Sequence, residues 1–464
     1  MSFKIPELRP LLTPRSIAVV GASPDPDKAI SKYVNQLVSN GYRGKIYPIN
    51  PKYKEVYGYE CFPSVKAIPG EVDTASIALR NDNVLEALQE CAQKGVKSAI
   101  VFSAGFAEIG ENGKKWQEGI TDVARRTGMR ILGPNCNGVI NVNDRVVMAM
   151  FFYSDMQEQM IPGNISLVSQ SGTIPLICFA NAHERGIGYR CLVSVGNEAD
   201  LDICDWIGFM IDDEQTKVVT GYIEGFKDVK KFMDVMDFAH QRKKPVILLH
   251  VTRYEASLLA AKYHTGACTE GGYEFESIFK DKNVITVEEP DELMEWGTLF
   301  SSAKVPKGGR VGIMNTTGGL TVLTADVGSE VGLQFSRFSD STQTMFRDLL
   351  KFGTPNNPLD LTGQVANDPA LFTKALRAFV EDDQIDILVM SMFLWRNDLE
   401  YRVESVIELA RQTEKPIVVL WVGSNIGGDS ARKLLRANIP VFRTVRSCLR
   451  GVQAWIQYSK FITQ

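Results

Sequence analysis

One pattern recurs along the chain and leaves few folds open to it. A short β-branched run is broken at Gly, Pro or Asn and followed by a stretch with apolar residues at helical spacing. SIAVVGAS (16–23) is the first such run, and Ile30, Val34, Leu37 and Val38 then mark one helical face. KIYPIN (45–50), TASIAL (74–79), SAIVFSAG (98–105) and RILGPN (130–135) repeat the pattern. Strands that are apolar throughout and alternate with helices belong to parallel sheets covered on both faces. This first α/β series ends near residue 145.

The polar segment SDMQEQMIPG (154–163) closes in Pro-Gly and marks a boundary. A second series follows, with NISLVSQSG, YRCLVSVGN, KVVTGYIEG, PVILLHV and NVITV as its strands. AKVPKGGR (303–310) reads as a linker, and RVGIMNTTGG, LQFSRF, ILVMSM, PIVVLWV and PVFRTV form a third series. At 464 residues the chain has room for three such domains.

Composition narrows the function classes. A net charge of −4 supplies no basic footprint for nucleic acid or an anionic membrane. Apolar runs such as IVVLWV (417–422) are strand-length and too short to span a bilayer. The N-terminal MSFKIPELRP lacks the basic, apolar, small-residue order of a signal peptide. Eight cysteines lie scattered without a CxxC pair, as reduced thiols and not as a zinc site. A soluble, cytoplasmic protein without a metal site is the expectation.

Ligands of open parallel sheets gather where strands end and helices begin. VVGASPDPDKAI (19–30) offers one glycine, Gly21, and lacks GxGxxG. Gly21 lets backbone approach a phosphate, with Ser23 or Asp25 as a cap, although a plain glycine turn reads the same. The second strand ends in Asn50, Pro51 and Lys52, where an NAD site wants a carboxylate. A cation there suits a phosphorylated ribose, as in coenzyme A or NADP. FSAGFAEIG (102–110) and GPNCNGVIN (133–141) are further glycine-rich strand ends, and no P-loop, GxSxG or HExxH occurs.

VSQSGTIPLI (168–177) puts Ser171, Gly172 and Thr173 at a helix start, which is an anion site, or simple capping by Ser171. YIEG (222–225) leaves Glu224 at a strand end, able to orient an imidazole through its Nδ1–H. The chain has only four histidines. His264 sits in KYHTGACTEGG (262–272), where small residues give access to a phosphoryl group. A neutral imidazole is nucleophilic near pH 7 without further tuning. His183, His240 and His250 read as structural or exposed.

In order, AVVGAS, IYPINP, FSAGFAEIG, GPNCNGVIN, SQSGT, SVGNEADLD, YIEG, HTGA, NPLDLTG (357–363) and IPVFRT (439–444) resemble the α subunit of the NDP-forming acyl-CoA synthetases. The nearest resemblance is to the ADP-forming acetyl-CoA synthetases, with succinyl-CoA synthetase more distant. It implies a CoA-binding Rossmann-like domain over 1–150 and two flavodoxin-like ligase domains, over 160–303 and 308–464. The implied reaction interconverts carboxylate, CoA and ATP with acyl-CoA, ADP and phosphate, through an acyl phosphate and a phosphohistidine. On this chain His264 matches the phosphorylated histidine, Glu224 its orienting carboxylate, and Ser171, Gly172 and Thr173 the phosphate cradle. Gly21, Ser23, Asn50, Lys52, Ser103 and Ala104 match the CoA grip, with Asn135 and Cys136 near the thioester.

The resemblance also implies that ATP or ADP and Mg²⁺ bind mainly to a separate ATP-grasp β subunit, in an α2β2-like hetero-oligomer acting on a small carboxylic acid. No ATP-grasp domain is legible here. The departures are Tyr263 before the histidine, Glu270-Gly271-Gly272 after it, Arg80 in SIALRNDNV (76–84), and Thr321 in NTTGGLTVL (315–323). Two other classes compete. One is a CoA-binding regulatory or scaffold subunit without turnover; the other is an NAD(P)-dependent oxidoreductase, which the absent GxGxxG disfavours.

Overall fold

The computed structural model describes residues 3–25, 27–28, 30–150, 160–265, 274–392, 399–422 and 429–463. Every strand named from the sequence forms. β1 (Ser16–Val20) is flanked by β2 (Lys45–Ile49) and, beyond a small hairpin of β3 (Glu55–Val56) and β4 (Tyr59–Glu60), by β5 (Thr74–Ile77). With β6 (Ser98–Val101) and β7 (Arg130–Leu132), these make a parallel sheet in the order β2-β1-β5-β6-β7.

The apolar runs are explained by two cores. Along β1, Ile17 and Val19 pack with Ile30, Tyr33, Val34 and Leu37 on one side. Ala18 and Val20 pack with Val84, Leu88, Cys91 and Ile120 on the other. Alternate residues of a strand point to opposite faces, so a strand with a core on each side must be apolar throughout. The first helical face differs from expectation in one member: Tyr33 is fully buried and Val38 is 41% exposed. Ile30, Tyr33, Val34 and Leu37 follow the i, i+3, i+4, i+7 spacing, which Val38 leaves. Helices Asn81–Lys94 and Glu111–Thr127 stop at Gly95 and Gly128, both left-handed.

The second sheet runs in the order β14-β13-β12-β10-β11-β8-β9. Its parallel strands are β10 (Pro162–Ser169), β11 (Tyr189–Ser194), β12 (Val218–Ile223), β13 (Val246–His250) and β14 (Ile285–Val287). The hairpin β8 (Gly138–Asn141) and β9 (Val146–Ala149) completes it, with β8 antiparallel to β11. The second sheet therefore reaches back into the stretch that sequence reading gave to the first. Val139 and Met148 share one core with Ile17 and Val193. Arg190 on β11 fixes the hairpin, reaching Asn141 Oδ1 at 2.6 Å, Asp144 at 3.1 Å and Asp213 at 3.1 Å.

The chain divides into two compact units, Met1–His183 with Gly188–Leu293, and Glu184–Ile187 with Met294–Gln464. The second holds a parallel sheet ordered β16-β15-β18-β19-β20. These strands are β15 (Arg310–Asn315), β16 (Gln334–Phe335), β18 (Ile387–Met392), β19 (Ile417–Trp421) and β20 (Val441–Phe442). The short β17 (Leu359–Asp360), unread in the sequence, pairs with β15. Met314, Phe346, Phe379 and Met390 lie in its core. Among the described residues, no helix is long and apolar enough to cross a membrane.

Candidate active site

Within the first unit, the strand ends of both sheets carry the residues singled out from the sequence. β10 ends at Ser169, whose Oγ accepts the Ser171 N–H at 3.0 Å and donates to the Ser171 carbonyl at 2.8 Å. Ser171 Oγ in turn accepts the Thr173 N–H at 3.3 Å. The Thr173 carbonyl receives the first N–H groups of helix Ile174–Arg185, from Leu176 and Ile177. The Ser-Gly-Thr turn is thus locked by its own hydroxyls and presents a helix N-terminus, the partial positive end that favours an anion.

Glu224 follows β12, beside this turn, and is 4% exposed. Its backbone is held at both polar atoms. The Glu224 N–H donates to Gln170 Oε1 at 2.5 Å, and its carbonyl accepts the Thr252 hydroxyl. Gln170 Oε1 also accepts the Gly225 N–H at 3.2 Å, while its Nε2 donates to the Gly225 carbonyl at 2.9 Å and to both oxygens of Glu198 at 3.3 Å. Burial pushes the Glu198 carboxyl up to about 7.

His250, read from sequence as structural or exposed, stands at the end of β13 and is 4% exposed. Its Nε2 lies 2.9 Å from Thr252 Oγ1. The Thr252 hydrogen is committed to the Glu224 carbonyl, so Thr252 accepts from Nε2–H and the ring is the Nε2–H tautomer. Nδ1 has no hydrogen-bond partner among the described residues, and the ring stands edge-on to Phe275 and Phe279, with centroids 5.5 and 5.6 Å away. Burial lowers its pKa to about 4, which keeps it neutral. A polar pair two apart at a strand end, His-Val-Thr, is the signal that could have located it.

His264 falls in the last turn of helix Glu255–Thr265, so it is carried by a helix end and not by a loop. Its side chain, that of Tyr263, and residues 266–273 lie outside the described residues. Over 255–261 of that helix only Ala261 is buried, and Leu259 is 55% exposed.

The first sheet gathers the residues expected on the CoA side. Gly21 has φ +95°, and a Cβ there would lie 2.5 Å from the Ala78 carbonyl oxygen. Asn50 donates to the Ala22 carbonyl at 2.8 Å and accepts the Lys52 N–H at 3.0 Å, stapling two strand-end loops together. Ser23 is 1% exposed and caps Asp25 at 3.2 Å, so its hydroxyl is turned inward. Lys52 and Ala104 are exposed, and Ser103 Oγ donates to the Leu79 carbonyl at 2.5 Å. Arg80, exposed and 2.8 Å from Asp82, adds a cation beside Leu79.

The two groups meet through the loop after β7. Asn135, at φ 55°, donates its N–H to the Ser103 carbonyl at 2.9 Å and its Nδ2 to Asn197 Oδ1 at 3.2 Å. A Cβ added to Gly172 would lie 3.8 Å from Asn137 Cβ and 3.9 Å from Asn137 N, so the Ser-Gly-Thr turn stands off this loop by about the room one methyl group would fill. Cys136 does not face the site with its side chain. The thiol is directed to the Val101 carbonyl at 3.4 Å, is 6% exposed, and is pushed up to about 12 by burial, so only its backbone borders the site.

The second unit has a strand-to-helix turn of its own, where β15 runs through Thr316 and Thr317 into helix Gly318–Glu330. Thr321 lies in the first turn of that helix and donates back to the Thr317 carbonyl at 3.0 Å.

This arrangement has clear counterparts. Residues 15–142 match the model of a CoA binding domain, and residues 162–300 that of a succinyl-CoA ligase like flavodoxin domain. Over 455 residues the chain is 32% identical to the α subunit of acetate–CoA ligase (ADP-forming) II of Pyrococcus furiosus, covering 96% of this chain and 97% of that one. The chain belongs to the ADP-forming acyl-CoA synthetase family. It is 33% identical over 461 residues to the α subunit of ligase I of the same organism, covering 98% of each. The dinucleotide forming acetyl-coenzyme A synthetase 1 of Ca. Korarchaeum cryptofilum, solved with phosphate and ADP, superposes with a TM-score of 0.88, at 28% identity over 98% of both chains. As an α subunit of an ADP-forming acyl-CoA synthetase the protein is an acid–thiol ligase with CoA as substrate, and the regulatory-subunit and oxidoreductase readings are not favoured.

Proposed function

We propose that this ADP-forming acyl-CoA synthetase α subunit carries the acyl and phosphoryl transfers on its own residues, with His264 as the phosphoryl carrier. Inorganic phosphate attacks the thioester carbonyl, the C–S bond breaks, and CoA leaves as the thiolate. The His264 imidazole then attacks the acyl phosphate at phosphorus, forming an N–P bond as the carboxylate departs. Glu224 accepts the Nδ1–H and leaves Nε2 to react. The Ser171–Thr173 turn stabilises the phosphoryl oxygens with fixed N–H donors. The observation that supports this reading is the nearness of Gly172 to Asn137, a gap that one added carbon would close, because it sets the proposed phosphate cradle beside the loop expected to hold the thioester.

CoA is gripped at Gly21, Asn50, Lys52, Ser103 and Ala104. ADP and Mg²⁺ bind mainly to a separate ATP-grasp β subunit, in an α2β2-like assembly within the cytoplasm. The weak burial of residues 255–261, on the helix that leads to His264, supports a carrier that leaves its cradle. The acid is a small carboxylate, and acetate is the first to try because the P. furiosus relatives are named for it.

The test is to incubate the chain with phosphate and a panel of acyl-CoAs, acetyl-CoA included, and to measure an acid-labile phosphoryl adduct by intact mass. The adduct should form with one acyl-CoA and vanish in His264→Asn while CoA binding persists. An adduct of undiminished size in His264→Asn would remove the histidine from the mechanism.

A further inference from the structure

Glu198 is an odd residue to find where it is. It is a carboxylate, 6% exposed, on a backbone at φ 57°, in the loop that runs from β11 toward helix Ile203–Asp212. The capping of that helix is already provided by Asp202 and Asp205, which form a reciprocal capping box. Glu198 adds a cap to the first N–H of the same helix, accepting from Ile203 at 2.8 Å, and it also accepts from Gln170 Nε2 at 3.3 Å on each oxygen, a bond that the helix does not call for. A carboxylate kept in a buried position against its desolvation cost calls for a purpose that a neutral side chain would not serve.

The handedness of the Gln170 amide supplies one. Two backbone N–H groups, of Glu224 and Gly225, point at its Oε1, so the other end must be the NH₂ and needs acceptors. Among the described residues two are in reach: the Gly225 carbonyl and Glu198. The ionised carboxylate holds Gln170 in the one orientation in which its oxygen faces Glu224. We propose that Glu198 is a positioning residue for phosphoryl transfer, acting through Gln170 on the backbone that carries Glu224. The link to catalysis rests on the role given to Glu224 above; the link from Glu198 to the backbone does not.

The carboxyl must be ionised to do this, because an acid hydroxyl, or the NH₂ of a glutamine, would set a second donor against Gln170 Nε2. Its charged surroundings are Lys227, which favours ionisation, and Asp202, which opposes it. Behind Asp202 stands Lys231, 2.9 Å from Asp202 and 2.8 Å from Asp205. Lys227 Nζ also donates to the Glu198 and Asn197 carbonyls, at 2.6 and 2.8 Å. Glu108 stands one residue away, bonded to Asn197 Nδ2 at 2.6 Å.

Amide hydrogen exchange at Glu224 and Gly225 in the full chain tests the proposal without relying on activity. After correction for intrinsic exchange, Glu198→Gln should raise both rates at least about tenfold at pH 8, a loosening of the size expected from a broken charged hydrogen bond. The wild-type chain should show the same loosening on acidification through about 7, and Glu198→Gln should show no such step. The wild-type titration serves even if the variant does not fold. Rates at both amides that ignore the substitution and the pH alike overturn the proposal. Phosphoryl uptake from acyl-CoA and phosphate, measured alongside, should slow in Glu198→Gln with unchanged KM for acyl-CoA and lose its acid limb. Loosened amides in a wild-type chain that takes up no phosphoryl group would uphold the positioning link and sink the phosphohistidine reading instead.

Discussion

Asn135 and Asn197, 62 residues apart, are joined side chain to side chain at 3.2 Å, and the Asn197 N–H donates to the Pro134 carbonyl at 2.8 Å. Asn197 Nδ2 also reaches Glu108 Oε2 at 2.6 Å and Gln117 Oε1 at 3.0 Å, and Glu108 Oε1 accepts the Gly105 N–H at 2.6 Å. One amide thus braces two of the loops proposed to hold CoA. Asn197→Ala should destabilise the first unit by about 1–2 kcal/mol, the cost of leaving three half-buried partners, Asn135, Glu108 and Gln117, short of a bond. It should also weaken CoA binding several-fold. Urea denaturation and titration calorimetry read the two effects separately.

Gly21 and Gly58 both hold positive φ, +95° and +80°, but their surroundings differ. A Cβ on Gly58 meets nothing within 4 Å, so Gly58→Ala should cost about 1 kcal/mol, from the backbone conformation alone. Gly21→Ala adds a contact of 2.5 Å with the Ala78 carbonyl oxygen, which must move. Its cost should exceed the Gly58 value by roughly 1–3 kcal/mol, and CoA affinity should fall more than about tenfold. Equal losses in both variants would show that the turn at Gly21 yields.

These cases mark the limit of what sequence carries. The strands were legible because runs such as those of β1, β13 and β19 are apolar and buried on both faces. The turns at Gly21 and Ser171–Thr173 were legible because glycine and hydroxyl residues at a strand end have few uses. Gln170, Glu198 and Thr252 were not, since their importance lies in which way an amide or hydroxyl faces, and no spacing encodes that. The direction of the Cys136 thiol was hidden for the same reason: a residue beside a site in sequence can turn its side chain into the core. The hairpin β8–β9 escaped because GVIN and VVMA are apolar runs that look alike whichever sheet receives them.

Two buried groups should give the stability of the protein opposing pH trends. Glu198 has its folded pKa raised from 4.5 to about 7, so the stability it lends at low pH is lost as pH rises from 4.5 to 7. His250 has its folded pKa lowered from 6.5 to about 4, so its contribution is present above 6.5 and lost as pH falls to 4. Each is on the order of 3 kcal/mol, and over the shared range they offset one another. Removing one unmasks the other. Glu198→Gln should therefore lose stability more steeply than wild type between pH 6.5 and 4.5, in urea midpoints followed across that range. Parallel curves for the two proteins would contradict the assigned shifts.

Thr252→Val keeps the shape of a fully buried side chain and removes its hydroxyl. The Glu224 carbonyl loses a donor and His250 Nε2–H loses its acceptor. The expected cost is about 2–4 kcal/mol, more than a single exposed hydrogen bond, because both orphaned groups stay buried. Thr252→Ser, which restores the hydroxyl, should recover most of it. Denaturation of the three proteins under one set of conditions decides the point.

The hairpin β8–β9 bears on how the chain can be divided. A cut within 151–159 would send the hairpin away with the first sheet and strip β11 of the antiparallel partner it has at Asn141–Gly138. The larger fragment would then expose a row of unsatisfied N–H and C=O groups, with Arg190 left beside Asp213 and deprived of Asn141 and Asp144. The smaller fragment would carry the missing strand without a sheet to lay it on. Such pieces are poor candidates for independent expression and good ones for reassembly in trans, in the manner of a split reporter whose halves recover their shape only on meeting.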